Sequence, residues 1–91
     1  MTRSIRFTPA AWDDCRYWQG QDKKTSKTLG RINLLIEAAR RKPFAGIGKP
    51  EPLLGNLAGY WSRRIDATHR LVYAVDDADI DVIACRGHYD D

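Results

Sequence analysis

The sequence predicts an α+β domain in which an N-terminal strand and a two-helix hairpin are followed by an antiparallel meander, giving a four- to five-stranded sheet with both helices on one face. Three observations carry this. A period-two alternation opens the chain, apolar residues then recur at helical spacing over a long segment, and three strand signals separated by short polar turns close it. With 91 residues the chain has room for a single domain, residues 1–91, and one core.

Ile5 and Phe7, separated by Arg6, mark a half-buried strand over Ser4 to Thr8. Thr8-Pro9 reads as an N-cap followed by proline at the first helical position, where its missing N–H costs nothing. The helix that follows gathers Ala11, Cys15 and Trp18, with Trp12 beside them, and leaves Asp13, Asp14 and Arg16 for solvent. After a break at Gly20 and Asp22, Leu29, Ile32, Leu35, Ile36 and Ala39 define a second helix ending near Lys42. Arg40, Arg41 and Lys42 complement its dipole and Pro43 stops it. Residues 43 to 59 hold three prolines and four glycines, which predicts a shaped loop with at most a short edge strand near Leu53. Gly46-Ile47-Gly48-Lys49 lacks the spacing and the preceding strand of a phosphate-binding loop. Tyr60 to Ile65, His69 to Val75 and Ile80 to Tyr89 read as strands, joined by turns at 66–68 and 76–79.

Composition narrows the functional classes. No apolar leader core opens the chain, and no uncharged apolar run approaches the roughly 18 residues of a membrane span, so a cytoplasmic protein with no membrane association is expected. Cys15 and Cys85 lie in apolar patterns without metal-ligand spacing and read as reduced core residues. Residues 1–50 carry 11 Lys/Arg against 4 Asp/Glu, whereas residues 51–91 carry 4 against 8. A basic half of this kind points to an anionic partner such as nucleic acid.

The meander then distributes the remaining charges. A hairpin centred on Ala67 sets Arg64 directly across from Arg70, and the second hairpin brings Arg86 to Tyr89 alongside His69 and Arg70. Arg63, Arg64, Arg70 and Arg86 are thereby expected near one end of the sheet, with the aspartates of the 76–79 turn at the other. Stacked cations without partners cost stability, and an anionic ligand would relieve that cost. Glu51, between Pro50 and Pro52, sits on a stiff segment, as a positioned base requires.

Lys49-Pro50-Glu51-Pro52-Leu53, Gly59-Tyr60-Trp61-Ser62-Arg63-Arg64-Ile65, His69-Arg70-Leu71-Val72-Tyr73-Ala74-Val75 and Ala84-Cys85-Arg86-Gly87-His88-Tyr89 closely resemble the YoeB toxins of the Txe/YoeB family. The resemblance extends through Trp12-Asp13-Asp14, Tyr17-Trp18-Gln19 and Arg40-Arg41-Lys42-Pro43-Phe44, in one register over nearly the whole chain. It implies a microbial-RNase-like (RelE-like) fold and a ribosome-dependent endoribonuclease that cleaves messenger RNA in the A site of the 70S ribosome. It further implies a YefM-like antitoxin as partner, with operator DNA reached only through that complex and a homodimer open as an assembly. By motif position, Glu51 resembles the general base, Arg70 a phosphate-stabilising cation, His88 the general acid and Tyr89 a substrate-positioning group, with the assignment of acid and base open. Lys49 and Arg64 resemble further phosphate contacts, and Arg63 and Arg86 are candidates for RNA contact.

Such a set suits the chemistry, because cleaving RNA without a metal or cofactor needs a base for the 2′-OH, cations for the phosphorane and an acid for the 5′-oxygen. The sequence departs from the family pattern at Leu54, where lysine is common, at Gly87, where an aromatic residue is usual, and in Asp90-Asp91, which extend past the usual terminal tyrosine. Two other classes stay open at this point: a non-catalytic toxin of the ParE-like kind that binds a protein target, which needs neither Glu51 nor His88, and a nucleic-acid-binding module without scission.

Overall fold

A computed structural model of the chain describes residues 2–21 and 26–87. The elements run β1 (Ser4–Phe7), α1 (Pro9–Gly20), α2 (Ser26–Arg41), β2 (Glu51–Pro52), a 3-10 turn at Gly55–Leu57, β3 (Trp61–Arg64), β4 (Arg70–Val75) and β5 (Asp79–Ala84). The five strands form one sheet in the order β1-β5-β4-β3-β2. The meander β2 to β5 is antiparallel throughout, as expected, whereas β1 joins the edge parallel to β5, with Ile5 opposite Ile80. Parallel neighbours need a long crossover, which the helix pair and the meander supply here.

Thr8 caps α1 through its hydroxyl, which accepts the Ala11 N–H at 3.1 Å, and Pro9 occupies the first turn. The same hydroxyl donates to the Ile83 carbonyl at 3.1 Å. Ile83 is the extra residue of a bulge: Tyr73 faces Val82 and Val72 faces Ala84, leaving Ile83 unpaired between them. One side chain therefore starts a helix and satisfies a carbonyl freed from the ladder.

Ala11, Cys15 and Trp18 of α1 and Ile32, Leu35, Ile36 and Ala39 of α2 are buried against Leu71, Tyr73, Ile80 and Val82 of the sheet. Each large apolar side chain so buried contributes roughly 1.5–3 kcal/mol. Trp12, expected beside this stripe, lies outside it, with its ring edge against Phe7 at 6.0 Å. A second, smaller cluster of Leu53, Val72 and Ala84 lies on the face that the helices do not cover, flanked by Leu57, Tyr60 and Ile83.

The last strand is shorter than the sequence predicts. It ends at Ala84, and Cys85 to Gly87 form bends because side chains of α1 replace the ladder: Asp14 accepts the Cys85 N–H at 3.0 Å and the Trp18 indole N–H donates to the Cys85 carbonyl at 2.9 Å. No helix among the described residues is long and apolar enough to cross a membrane.

Candidate functional site

Residues directly opposite one another in a sheet share a face. Val72, in the cluster away from the helices, faces Ala84 on one side and Ser62 on the other, and Ser62 faces Glu51. Glu51, Ser62, Val72 and Ala84 thus make a row across four strands on the helix-free face. Two residues along, Arg64 stands opposite Arg70 on that same face, in the register the Ala67-centred hairpin predicts. Directly opposite pairs bring Cβ atoms about 4.5–5.5 Å apart, and Glu51, diagonal to Arg64, is about 7–8 Å away, within reach of long side chains.

At the edge, the Arg64 N–H donates to the Gly48 carbonyl at 2.7 Å. Lys49 has a left-handed φ of 51° and an exposed side chain, so its backbone kinks between Gly48 and β2 next to Arg64. Among the described residues, the ion pairs fall elsewhere: Arg6 with Asp79 and Asp81, and Arg40 and Arg41 with Glu37. Arg64 and Arg70 have no carboxylate within pairing distance among those residues. Like charges held opposite one another without a counter-ion form a site that an anion would stabilise.

Arg63 is a correction to the sequence-based expectation. It is 0% exposed and lies on the helix side of β3, so it is not among the cations of the open face and is not available for the RNA contact expected of it. Its guanidinium donates from Nη2 to the carbonyls of Lys42 (2.6 Å) and Ala45 (2.9 Å), from Nη1 to that of Ile47 (2.9 Å), and from Nε to the Tyr73 hydroxyl (3.1 Å). The Tyr73 hydroxyl donates onward to the Pro43 carbonyl at 2.6 Å, and burial pushes its pKa up, with Arg63 opposing. Arg63 is therefore the internal brace of the loop that leads to Glu51. The parity was readable, since Trp61, Arg63 and Ile65 alternate together and the two apolar members face the helices.

Arg86 also departs from the expected cluster. Its guanidinium lies 3.5 Å over the centroid of the Tyr17 ring on α1, so it is engaged from the helix side. Of the four arginines expected together, Arg64 and Arg70 share the open face. His88 and Tyr89 lie outside the described residues, but the residue before them is fixed: Gly87 donates its N–H to His69 Nδ1 at 2.9 Å and accepts the Arg70 N–H at 3.0 Å. His69, which the sequence marks only as a strand opener, is the residue sequence reasoning missed.

The thiols offer no nucleophile. Cys15 and Cys85 are both buried and free, and burial raises the pKa of each, which keeps them protonated.

Taken together, fold and site define a small α+β protein whose sheet is covered by helices on one face and presents on the other a proline-flanked glutamate and two guanidinium groups that have no carboxylate partner among the described residues. A family model described as the YoeB-like toxin of bacterial type II toxin-antitoxin systems matches residues 7–89. Toxin YoeB of Synechocystis sp. is 58% identical over 85 residues, covering 93% of this chain and 95% of the relative. Among solved structures, the YoeB/ParE toxin from Agrobacterium tumefaciens superposes with a TM-score of 0.87 at 50% identity, covering 94% of this chain and 99% of that one. A YoeB-YefM complex from Staphylococcus aureus matches with a TM-score of 0.82 at 46% identity over 98% of this chain and 100% of the other. YafQ from E. coli, at 21% identity and a TM-score of 0.71, shares the fold. The chain belongs to the YoeB family: it is a toxin of a type II toxin-antitoxin system.

Proposed function

We propose that the helix-free face of the sheet is the active surface of a ribosome-dependent messenger RNA endoribonuclease that inhibits translation. The observation that carries this reading is the row itself: Arg64 and Arg70 opposed with no carboxylate partner among the described residues, on the same face as Glu51, and Gly87, which precedes His88 and Tyr89 in the sequence, bonded to Arg70. One phosphodiester bound between the two guanidinium groups would remove their repulsion, and its flanking oxygens would lie within reach of the glutamate.

In this mechanism one of Glu51 and His88 takes the proton of the ribose 2′-OH and the other protonates the departing 5′-oxygen, with Glu51 as base the preferred order. Arg70 and Arg64 neutralise the pentacoordinate phosphorane, Lys49 extends the phosphate contact along the edge, and Tyr89 orients the nucleotide. The products are a 2′,3′-cyclic phosphate and a 5′-hydroxyl. No step calls for a metal or a cofactor, and DNA resists because it lacks the nucleophile.

The partners follow the family. The Staphylococcus aureus relative is seen as a YoeB-YefM complex and as a YoeB dimer, which supports a YefM-like antitoxin and a homodimer for this chain as well. The 70S ribosome and its message are the targets, and operator DNA is contacted only through the antitoxin complex. Primer extension on messages from cells expressing the chain tests the proposal: discrete breaks within translated codons are expected, absent for Glu51→Gln and for His88→Ala. Normal cutting by both variants removes the site, and growth arrest without breaks transfers the toxin to the protein-binding class.

A further inference from the structure

We infer that His69 is a positioning residue that fixes Gly87, the residue before His88 in the sequence, through the hydrogen bond its Nδ1 accepts from the Gly87 amide. The inference rests on the ribonuclease reading for its link to cleavage, while the hold itself is a matter of structure.

β5 ends at Ala84, yet each of the next three residues is gripped by a group from another element. Cys85 has its N–H on Asp14 and its carbonyl on the Trp18 indole. Arg86 has its guanidinium on the Tyr17 ring. Gly87 has its N–H on His69 and its carbonyl on the Arg70 N–H. The Arg70 contact is the tail end of the β4 ladder; the His69 contact replaces the ladder bond that would come next. Gly87 has φ 103°, a left-handed conformation that a residue with a side chain adopts at a cost, so the backbone turns here in a direction this chain's glycine permits. His88 is the next residue in the sequence.

His69 is itself held from two sides. Asp66 Oδ1 accepts the backbone N–H groups of Thr68 (2.7 Å) and His69 (2.6 Å), closing the β3-β4 turn and fixing the histidine backbone. The imidazole meets the Trp18 ring edge to face, with centroids 4.8 Å apart and planes at 88°. Trp18 thus braces Cys85 by its N–H and His69 by its ring. An Nδ1 that accepts is unprotonated, so the neutral ring carries its proton on Nε2. A glutamine amide at this position reaches the place of Nε2, whereas an asparagine amide oxygen reaches the place of Nδ1. The two substitutions therefore separate the hydrogen bond from mere polarity.

The test uses full-length chain, ¹⁵N-labelled, as wild type, His69→Asn and His69→Gln, with amide exchange read at Gly87 and cleavage read by primer extension in a ribosome-programmed reaction. The expected result for His69→Gln is roughly tenfold faster Gly87 exchange from loss of one hydrogen bond, and a kcat lower by about ten- to a hundredfold at unchanged KM. His69→Asn should restore both. Glutamine matching asparagine in both measurements, or Gly87 exchange unmoved in His69→Gln, overturns the inference. Faster Gly87 exchange with full cleavage also overturns it while leaving the ribonuclease reading intact. Absence of cleavage by wild type removes that reading alone, and Gly87 exchange then decides the hold.

Discussion

Replacing Arg63 with methionine should cost this protein about a fifth or more of its stability. The guanidinium makes four hydrogen bonds from a fully buried position, three to carbonyls of the 42–47 loop and one to the Tyr73 hydroxyl. Bonds from a charged donor are each worth about 1.5–3 kcal/mol. The sum is not recovered in full, because Lys42, Ala45 and Ile47 are exposed residues whose carbonyls can turn to water once the brace is gone. What persists is the Tyr73 hydroxyl losing a donor inside the core and a loop losing its anchor, about 3–5 kcal/mol by analogy with other broken buried charge networks. A domain of 91 residues has about 5–14 kcal/mol in total at the usual value per residue. Urea unfolding followed by Trp fluorescence measures the loss: with a slope near 1 kcal/mol per molar, the midpoint falls by about 3 M or more. A shift under about 1 M refutes the brace. A solvent-facing cation would behave in the opposite way, leaving the midpoint alone and flattening the salt dependence of RNA binding by about one phosphate contact.

Neutralising the exposed pair should act in that opposite sense. Arg70→Gln removes a like-charge neighbour of Arg64, so the unfolding midpoint should stay or rise slightly while cleavage in the ribosome-programmed reaction falls at least a hundredfold; a destabilised variant with normal cleavage contradicts the assignment. Gly48→Ala should destabilise by about 2–4 kcal/mol, measured by the same urea titration, because φ is 83° and an added Cβ would meet the buried Leu35 Cδ2 at 2.6 Å and Arg63 Cβ at 3.1 Å. Asp76 is held below the usual aspartate range by the N–H groups of Asp79 (2.7 Å) and Ala78 (2.9 Å), which its Oδ1 accepts in the β4-β5 turn. A depressed folded pKa means that its contribution is present above the unfolded value near 4 and lost as pH falls through the folded one. Thermal melts from about pH 5 downward should therefore show a shallower acid loss for Asp76→Asn than for wild type.

The residues that announced the fold did so because their signals are local. Thr8-Pro9 caps its helix by contacts within one turn, Ile32, Leu35, Ile36 and Ala39 keep one face by spacing alone, and a three-residue turn at 66–68 leaves Arg64 and Arg70 only one register. The parallel pairing of β1 with β5 was not legible, since it joins residues about 75 positions apart and leaves no mark in either segment. The end of β5 was hidden for a related reason. Ile80 to Cys85 is an unbroken strand-like run, and what stops it is a pair of side chains, Asp14 and Trp18, that compete for the Cys85 backbone from the far end of the sequence. His69 escaped notice because its role depends on where Gly87 comes to rest, which no pattern around position 69 encodes.

Arg63 and Arg64 show how the sheet turns adjacent identical residues to opposite ends. A strand alternates faces, so the pair could not both reach solvent or both reach the core. Placing Arg63 inward commits Arg64 to the open face, and a slip of one residue in β3 would bury Arg64 where only Arg63 has its carbonyls. The brace therefore makes the register expensive to lose. It also reaches the site by a second route. The 43–47 loop leaves Phe44 and Ile47 exposed, so it has little apolar burial to define its path, and three of its carbonyls or those beside it converge on one guanidinium instead. An apolar side chain of similar volume could fill the same buried space. It could not gather three carbonyls at once, and without them Gly48 would not be delivered to the Arg64 N–H at the point where the chain kinks through Lys49 into Pro50-Glu51-Pro52. The charge in the core is there for the position of the glutamate outside it.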